Sequence, residues 1–301
     1  MSIIIFIIIL LVLVVSHEWG HFIVAKKSGI RVDEFAFGMG PKLLSFKKGE
    51  TTYKINALPI GGYVKIFGEN PDEESTNGPD KDRSFINKPK YIQASVLLAG
   101  VVMNFLVAWL LLSVGYMSGM PTSVSVAPAG SKVENQALTL VSISSGSPAE
   151  KAGLKIGDTI YNLATKDDAT ETPSTESVQY FVKRHSTDEI TVSFKRAKES
   201  KEVVLTPEIN KDSGAPMIGI SMDVIGNLKL PLHKAAWEGL KLSSNIFVGT
   251  VKGFYTLIHD SILGKGNMSA LTGPIGIVGV VGDAAESGFI YLLAFTALLS
   301  I

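Results

Sequence analysis

Residues 2–25 read SIIIFIIILLVLVVSHEWGHFIVA, an apolar run broken only by His17-Glu18-Trp19-Gly20-His21. The run predicts a helix over residues 3–25, roughly 34 Å long at about 1.5 Å per residue. That length suffices for a bilayer core of about 30 Å. A cleaved secretion signal fits less well, because no basic stretch precedes the run and no small-x-small site follows it. The polar break is an H-E-x-x-H pattern. Helical residues four apart lie one above the other, so His17 and His21 can present two imidazoles to one ion. Glu18 lies beside them, placed to take a proton from an attacking water and pass it to a leaving amine. Zinc would supply the other half, acidifying that water and polarising the scissile carbonyl. The bland alternative is a polar cluster that glues helices together. Ionisable groups inside a span are costly unless they serve one another, a metal or a polar cavity.

The rest of the composition sharpens this reading. Of the 301 residues, 46% are hydrophobic and only 19% charged, and the apolar ones are unevenly spread. Lys plus Arg and Asp plus Glu are 28 each, which excludes the basic surface that a nucleic-acid partner usually requires. With no cysteine, disulfides and thiolate zinc sites are excluded, and a zinc ion must be held by His, Asp or Glu. His185, His233 and His259 have no comparable spacing and read as surface histidines.

A second uncharged run covers residues 92–119, with Asn104 near its middle. It lacks the polar face of a buried soluble helix and reads as another span. Asn104 suits either a helix-packing hydrogen bond, worth about 0.6 kcal/mol in membranes, or a donor to substrate. Lys26, Lys27 and Arg31 follow the first span, Lys81, Arg83, Lys88 and Lys90 precede the second, and no charge follows it until Lys132. The positive-inside rule then places residues 26–90 in the cytoplasm of a prokaryotic cell. Within them, residues 32–37, 53–55 and 63–67 are strand-like, with a hairpin turn expected at Leu58-Pro59-Ile60-Gly61-Gly62. Residues 69–83 read as an exposed, mobile loop. Residues 121–223 form a soluble α+β insert, with strands near 139–143, 159–162, 190–194 and 203–205 and a helix near 179–184. There Ser147 caps a short helix that Pro148 starts and Gly153 ends. A partly charged helix over residues 233–262 suits the membrane surface better than a crossing. Residues 271–277 suit a tight loop or broken helix, and an apolar helix begins at Phe289.

Several blocks together resemble the site-2 protease family, of the bacterial regulator-of-sigma-E type. They are HEWGH at 17–21, FAFGMGPKLLSF at 35–46, YKINALPIGGYVKIFGE at 53–69, SGSPAEKAGLKIGDTI at 145–160 and LTGPIGIVGVVGDAAESG at 271–288. The resemblance implies a polytopic α-helical membrane protein with a cytoplasmic membrane-associated β element and an inserted extracytoplasmic PDZ-like domain. Its expected parts are the first transmembrane helix at 1–25 and a cytoplasmic loop with a β-hairpin at 26–90. The second transmembrane helix follows at 91–119 and the PDZ-like domain at 120–225. Last come a membrane-surface helical region at 231–265, a GPIG loop at 266–288 and the start of a truncated third transmembrane helix at 289–301. It further implies a zinc-dependent intramembrane endopeptidase in a bacterial plasma membrane, with His17 and His21 as zinc ligands and Glu18 as the catalytic glutamate. Asn104 matches the family's A-G-P-x-x-N asparagine, with Val101 in place of proline. The third ligand is an expected aspartate beyond Ile301. Expected partners are the lipid bilayer, transmembrane substrates such as anti-sigma factors already cut by another protease, and peptide C-termini at the PDZ-like domain. ATKDD at 164–168 replaces the turn common there, which weakens the last expectation. The alternative is a catalytically impaired fragment, or a non-enzymatic scaffold that binds peptides.

Overall fold

The computed structural model describes residues 2–170, 172–197, 199–210, 214–263 and 274–301. Two units can be separated: Met1–Gly115 with Leu232–Ala285 and Leu292–Ile301, and Tyr116–Pro231 with Glu286–Tyr291.

In the first unit, α1 (Ser2–Lys27) ends on Lys26 and Lys27, whose charges suit the negative end of a helix dipole. Strands β1 (Val32–Lys48) and β2 (Thr51–Ile66) follow as one antiparallel pair. Both are bent, so four segments lie side by side. Phe35 pairs with Val64 on one edge and Tyr53 on the other, and Tyr53 pairs in turn with Phe46. The order across the sheet is therefore 62–66, 32–37, 52–55, 44–48, with residues 62–66 at one margin. Gly38 and Gly40, at φ of 77° and 85°, take the bend in β1. The turn expected at residues 58–62 lies within β2: residues 52–55 run parallel to 32–37 and residues 62–66 run antiparallel to them, so the chain reverses between 55 and 62 as well as at Gly49-Glu50. There Glu50 accepts from Lys26 and from Arg83, each at 2.6 Å, and the Lys26 ammonium first, then Arg83, holds its carboxyl below the usual range.

Residues 69–83 are mostly exposed, as expected, but carry regular structure. They contain α2 (Glu73–Asn77), capped reciprocally by Asp72 and Ser75, and a 3-10 turn at Lys81–Arg83. Arg31 fastens this segment from a distance, donating to Asp80 at 2.7 Å while its guanidinium lies 3.5 Å from the centre of the Phe67 ring. Next comes α3 (Lys90–Ser118). Among the described residues, α1 and α3 are the two helices long and apolar enough to cross a bilayer. The shared core beneath the sheet joins Phe22 and Ala25 of α1, Val64 and Ile66 of β2, and Val96 of α3.

The insert contains β3 (Met120–Ser123), β4 (Val133–Ile143), α4 (Pro148–Lys151), β5 (Thr159–Ala164), β6 (Ala169–Thr170), α5 (Thr175–Arg184), β7 (Ile190–Arg196), β8 (Glu199–Leu205), β9 (Glu208–Ile209), β10 (Pro216–Met217) and β11 (Ile220–Leu228). The main sheet runs β3-β11-β4-β5-β7-β8, with β6 on β5. Alternate residues of β4, β5 and β7, including Leu140, Leu163 and Phe194, bury against Val178, Phe181 and Val182 of α5. Ser147 accepts from Glu150 N at 3.3 Å and caps α4, with Pro148 at its first position.

The chain then forms α6 (Leu232–Ile262), α7 (Pro274–Ser287) and α8 (Phe289–Ser300). Residues 271–273 of the expected loop lie outside the described residues. From Pro274 the chain is helical, because proline starts a helix readily. The small residues Ala235, Gly239 and Ser243 let α6 approach α3 closely, and Trp109 Nε1 donates to Ala236 O at 2.8 Å.

Candidate metal centre and cleft

Two glycines bring α1 and α3 together. A Cβ on Gly20 would lie 2.9 Å from both the Ala99 carbonyl carbon and Met103 Cβ. A Cβ on Gly100 would lie 2.5 Å from His17 Nε2 and Cε1, and closer still to His21 Nε2. Real Cβ atoms do not tolerate such contacts, so the two backbones meet only because side chains are missing there.

This close approach shapes the site. The His17 and His21 rings stand with centroids 4.8 Å apart, and both Nε2 atoms converge over Gly100. His21 Nδ1 is 2.7 Å from Val96 O. A carbonyl only accepts, so Nδ1 carries the proton and Nε2 keeps its lone pair for a ligand. Glu18 Oε2 accepts from the Val64 N–H at 3.0 Å. Glu18 and His21 line a cleft of about 330 Å³ with Tyr63, Val64, Glu69 and Leu97.

Asn104 is one helical turn beyond Gly100. Its Oδ1 is buried with no hydrogen-bond partner among the described residues, while its backbone carbonyl accepts from Ser300 Oγ at 2.8 Å. The end of α8 is thereby held beside α3. The structure thus brings His17, His21 and Glu18 to one place, with Asn104 a turn along. A zinc ion suits two neutral imidazoles. The fit is partial, since no third His, Asp or Glu joins them among the described residues.

Sequence reasoning missed Gly20, Gly100, Val64 and Val96. A glycine inside each apolar run was the available signal, because small residues mark helix contacts in membranes. The roles of Val64 and Val96 are backbone roles, which no side-chain pattern announces. His185 was also misread. Its ring lies between Asp188 at 2.8 Å and Asp168 at 3.2 Å, with only 12% of the side chain exposed.

A second concavity, about 390 Å³, belongs to the insert. It lies between α5, through Thr175, Val178 and Val182, and the extended run Met217, Gly219 and Met222. β3 covers β11 only over Ile225–Leu228, so the start of β11 offers an edge to this groove.

Two spanning-type helices, an H-E-x-x-H pair facing a cleft and a sheet-rich insert define a membrane-associated protein of metallopeptidase type. The profile of Peptidase family M50 matches residues 5–301, and the chain belongs to that family, the site-2 proteases. A candidate zinc metalloprotease of Clostridium acetobutylicum is 35% identical over 96% of this chain and 76% of its own. A similarly described protein of Fusobacterium nucleatum is 32% identical over all of this chain and 81% of its own. The regulator of sigma-W protease RasP of Bacillus subtilis is 26% identical over all of this chain and 84% of its own. A PDZ domain of an SdrC-like protein from Listeria monocytogenes covers 30% of this chain and 92% of its own, at 22% identity and a TM-score of 0.25, too slight to carry an argument. Protease-family function and membrane association follow from this membership. Multi-pass topology does not follow from two spanning-type helices.

Proposed function

We propose that the protein is a zinc-dependent intramembrane endopeptidase. The observation that carries this reading is the convergence of two imidazole Nε2 atoms over Gly100, beside Glu18 and an open cleft. His17 and His21 would hold the ion, and their orientation comes from the helix contact and the Val96 carbonyl. When bound, zinc supplies Lewis acidity toward a scissile carbonyl and an attacking water. Glu18 takes the proton from that water and returns it to the leaving amine, as a carboxylate within hydrogen-bond reach can. The unpartnered Oδ1 of Asn104 accepts from a backbone N–H of the substrate, which restores the hydrogen bond it lacks. A third ligand, an aspartate, would complete the set, and α8 is a fitting carrier for it because Ser300 Oγ on the Asn104 carbonyl holds that helix beside α3, one turn from Gly100.

The substrates we infer are single-span membrane proteins, such as anti-sigma factors, already shortened by another protease. The relative's description as a regulator of sigma-W protease favours this class. The groove beside α5 takes an extended peptide end by strand addition to β11, which makes the insert PDZ-like in use. The chain is placed as a multi-pass protein of a bacterial plasma membrane. Exposed Leu43, Leu44 and Phe46 of the sheet face lipid, and the insert lies outside the cytoplasm.

Glu18→Gln in the full-length protease is expected to abolish cleavage of a membrane substrate while zinc stays bound. Retained cleavage would end the reading. The lack of a third donor among the described residues favours a second reading, a scaffold that binds without cutting. Failure of the full-length protein to retain zinc through chelator washing would decide for it.

A further inference from the structure

A glutamate on a helix face has a loose terminal torsion, so its carboxylate sweeps a broad arc unless something stops it. Here the stop belongs to the sheet. Val64 pairs with Phe35 along one edge of its segment, and its N–H points the other way, to Glu18 Oε2 at 3.0 Å. The Val64 side chain is 8% exposed and packs in one core with Phe22 and Ala25 of α1. The donor is thus rigidly fixed with respect to the helix that carries the acceptor. Gly62 makes the approach possible. A Cβ there would lie 2.9 Å from Ala36 O, 3.6 Å from Val14 Cγ1 and 3.9 Å from Glu18 Cγ. Any side chain at position 62 therefore displaces the segment that carries the Val64 amide.

We propose that Val64 is a positioning residue for peptide cleavage: its backbone N–H holds one oxygen of Glu18, so the sheet sets the aim of the carboxylate. The other oxygen, Oε1, is left for the proton transfer. This rests on the reading of Glu18 as the base. A hydrogen bond to a charged carboxylate is directional and stronger than a neutral one, and small errors of aim cost rate steeply. Loss of this one donor is expected to lower kcat about tenfold to a hundredfold. KM and metal content should barely move, because Val64 holds neither substrate nor ion.

The direct test replaces the Val64 amide by an ester, incorporating α-hydroxyisovalerate at that position in the full-length protease. The expected result is the stated fall in kcat, KM within about twofold and unchanged zinc content. Gly62→Ala provides a second route to the same displacement, with Gly249→Ala in α6 as control, since a Cβ at Gly249 meets nothing within 4 Å and its backbone is helical. An independent readout uses metal-free protein, in which the Val64 amide should exchange with deuterium about tenfold faster in Glu18→Ala than in wild type. Unchanged kcat in the ester protein, or exchange indifferent to Glu18→Ala, overturns the proposal. A fall in kcat accompanied by loss of zinc overturns it too, since that marks a merely structural role. Full activity in Glu18→Gln would remove the base itself, and the proposal would fall with it. An inactive Glu18→Gln beside a fully active ester protein sinks the positioning role alone.

Discussion

The helix pair around the histidines and the sheet-rich insert are both well packed, but by opposite means. In the insert, bulky side chains such as Leu140, Leu163 and Phe194 fill the space between sheet and α5. Water drives that burial, and the order is carried by side-chain volume. Between α1 and α3 the decisive positions are Gly20 and Gly100, where side chains are absent and backbones touch. Lipid tails are as apolar as leucine, so contact in that setting comes from close fit and not from expelling water. A cavity is the fault to which the insert is sensitive, and an extra methyl is the fault to which the helix pair is sensitive.

Opposite substitutions should therefore damage the two regions selectively. The largest effect is expected from Gly100→Ala in the full-length protease. Its new methyl takes the space of both Nε2 atoms, so zinc retention and cleavage should be lost together. Hydrogen exchange in β4, β5 and β7 should stay as in wild type. Metal analysis and peptide-resolved exchange on one sample check both halves, and retained zinc would break the distinction. Phe194→Ala makes the reverse case. Removing a fully buried phenylalanine should cost the insert about 3–5 kcal/mol, read as faster exchange of the β5 and β7 amides, with zinc retained.

The smallest effect concerns pH. Asp188 first, then Asp168, raise the His185 pKa above its ordinary 6.5. Both ring nitrogens face carboxylates, so both must donate and the ring is charged in this arrangement. Arg184 also touches Asp168, at 3.1 Å. A group whose pKa is raised by folding stabilises the fold fully below its unfolded value and ceases to do so as pH rises through its folded value. Exchange at the C-terminus of α5 should thus quicken between pH 6.5 and the raised value, and His185→Gln should flatten that dependence.

The contrast also governs what could be read in advance. His17, Glu18 and His21 were legible because helix geometry alone puts residues four apart on one face. Ser147 and Pro148 were legible because capping is local. The bent sheet was legible in part: the strand-like runs at 32–37, 53–55 and 63–67 and the reversal before residue 62 stand in the register, whereas the fold-back through Gly38 and Gly40 that adds residues 44–48 was not foreseen. Residues 69–83 looked loose because their anchor, Arg31, lies 49 residues from Asp80. His185 looked ordinary because Asp168 reaches it from a separate turn. Each miss is a long-range partner, which local composition does not encode.

Glu50 has one more consequence. Its carboxylate fastens the β1–β2 reversal to Lys26 at the foot of α1, and Val64 fastens the opposite margin to Glu18, eight residues higher, about 12 Å along the helix. Two rivets on one rod prevent swivelling. When a thicker or thinner bilayer tilts the rod, the plate riveted to it tilts equally, and the Glu18 carboxylate keeps its distance from the strand.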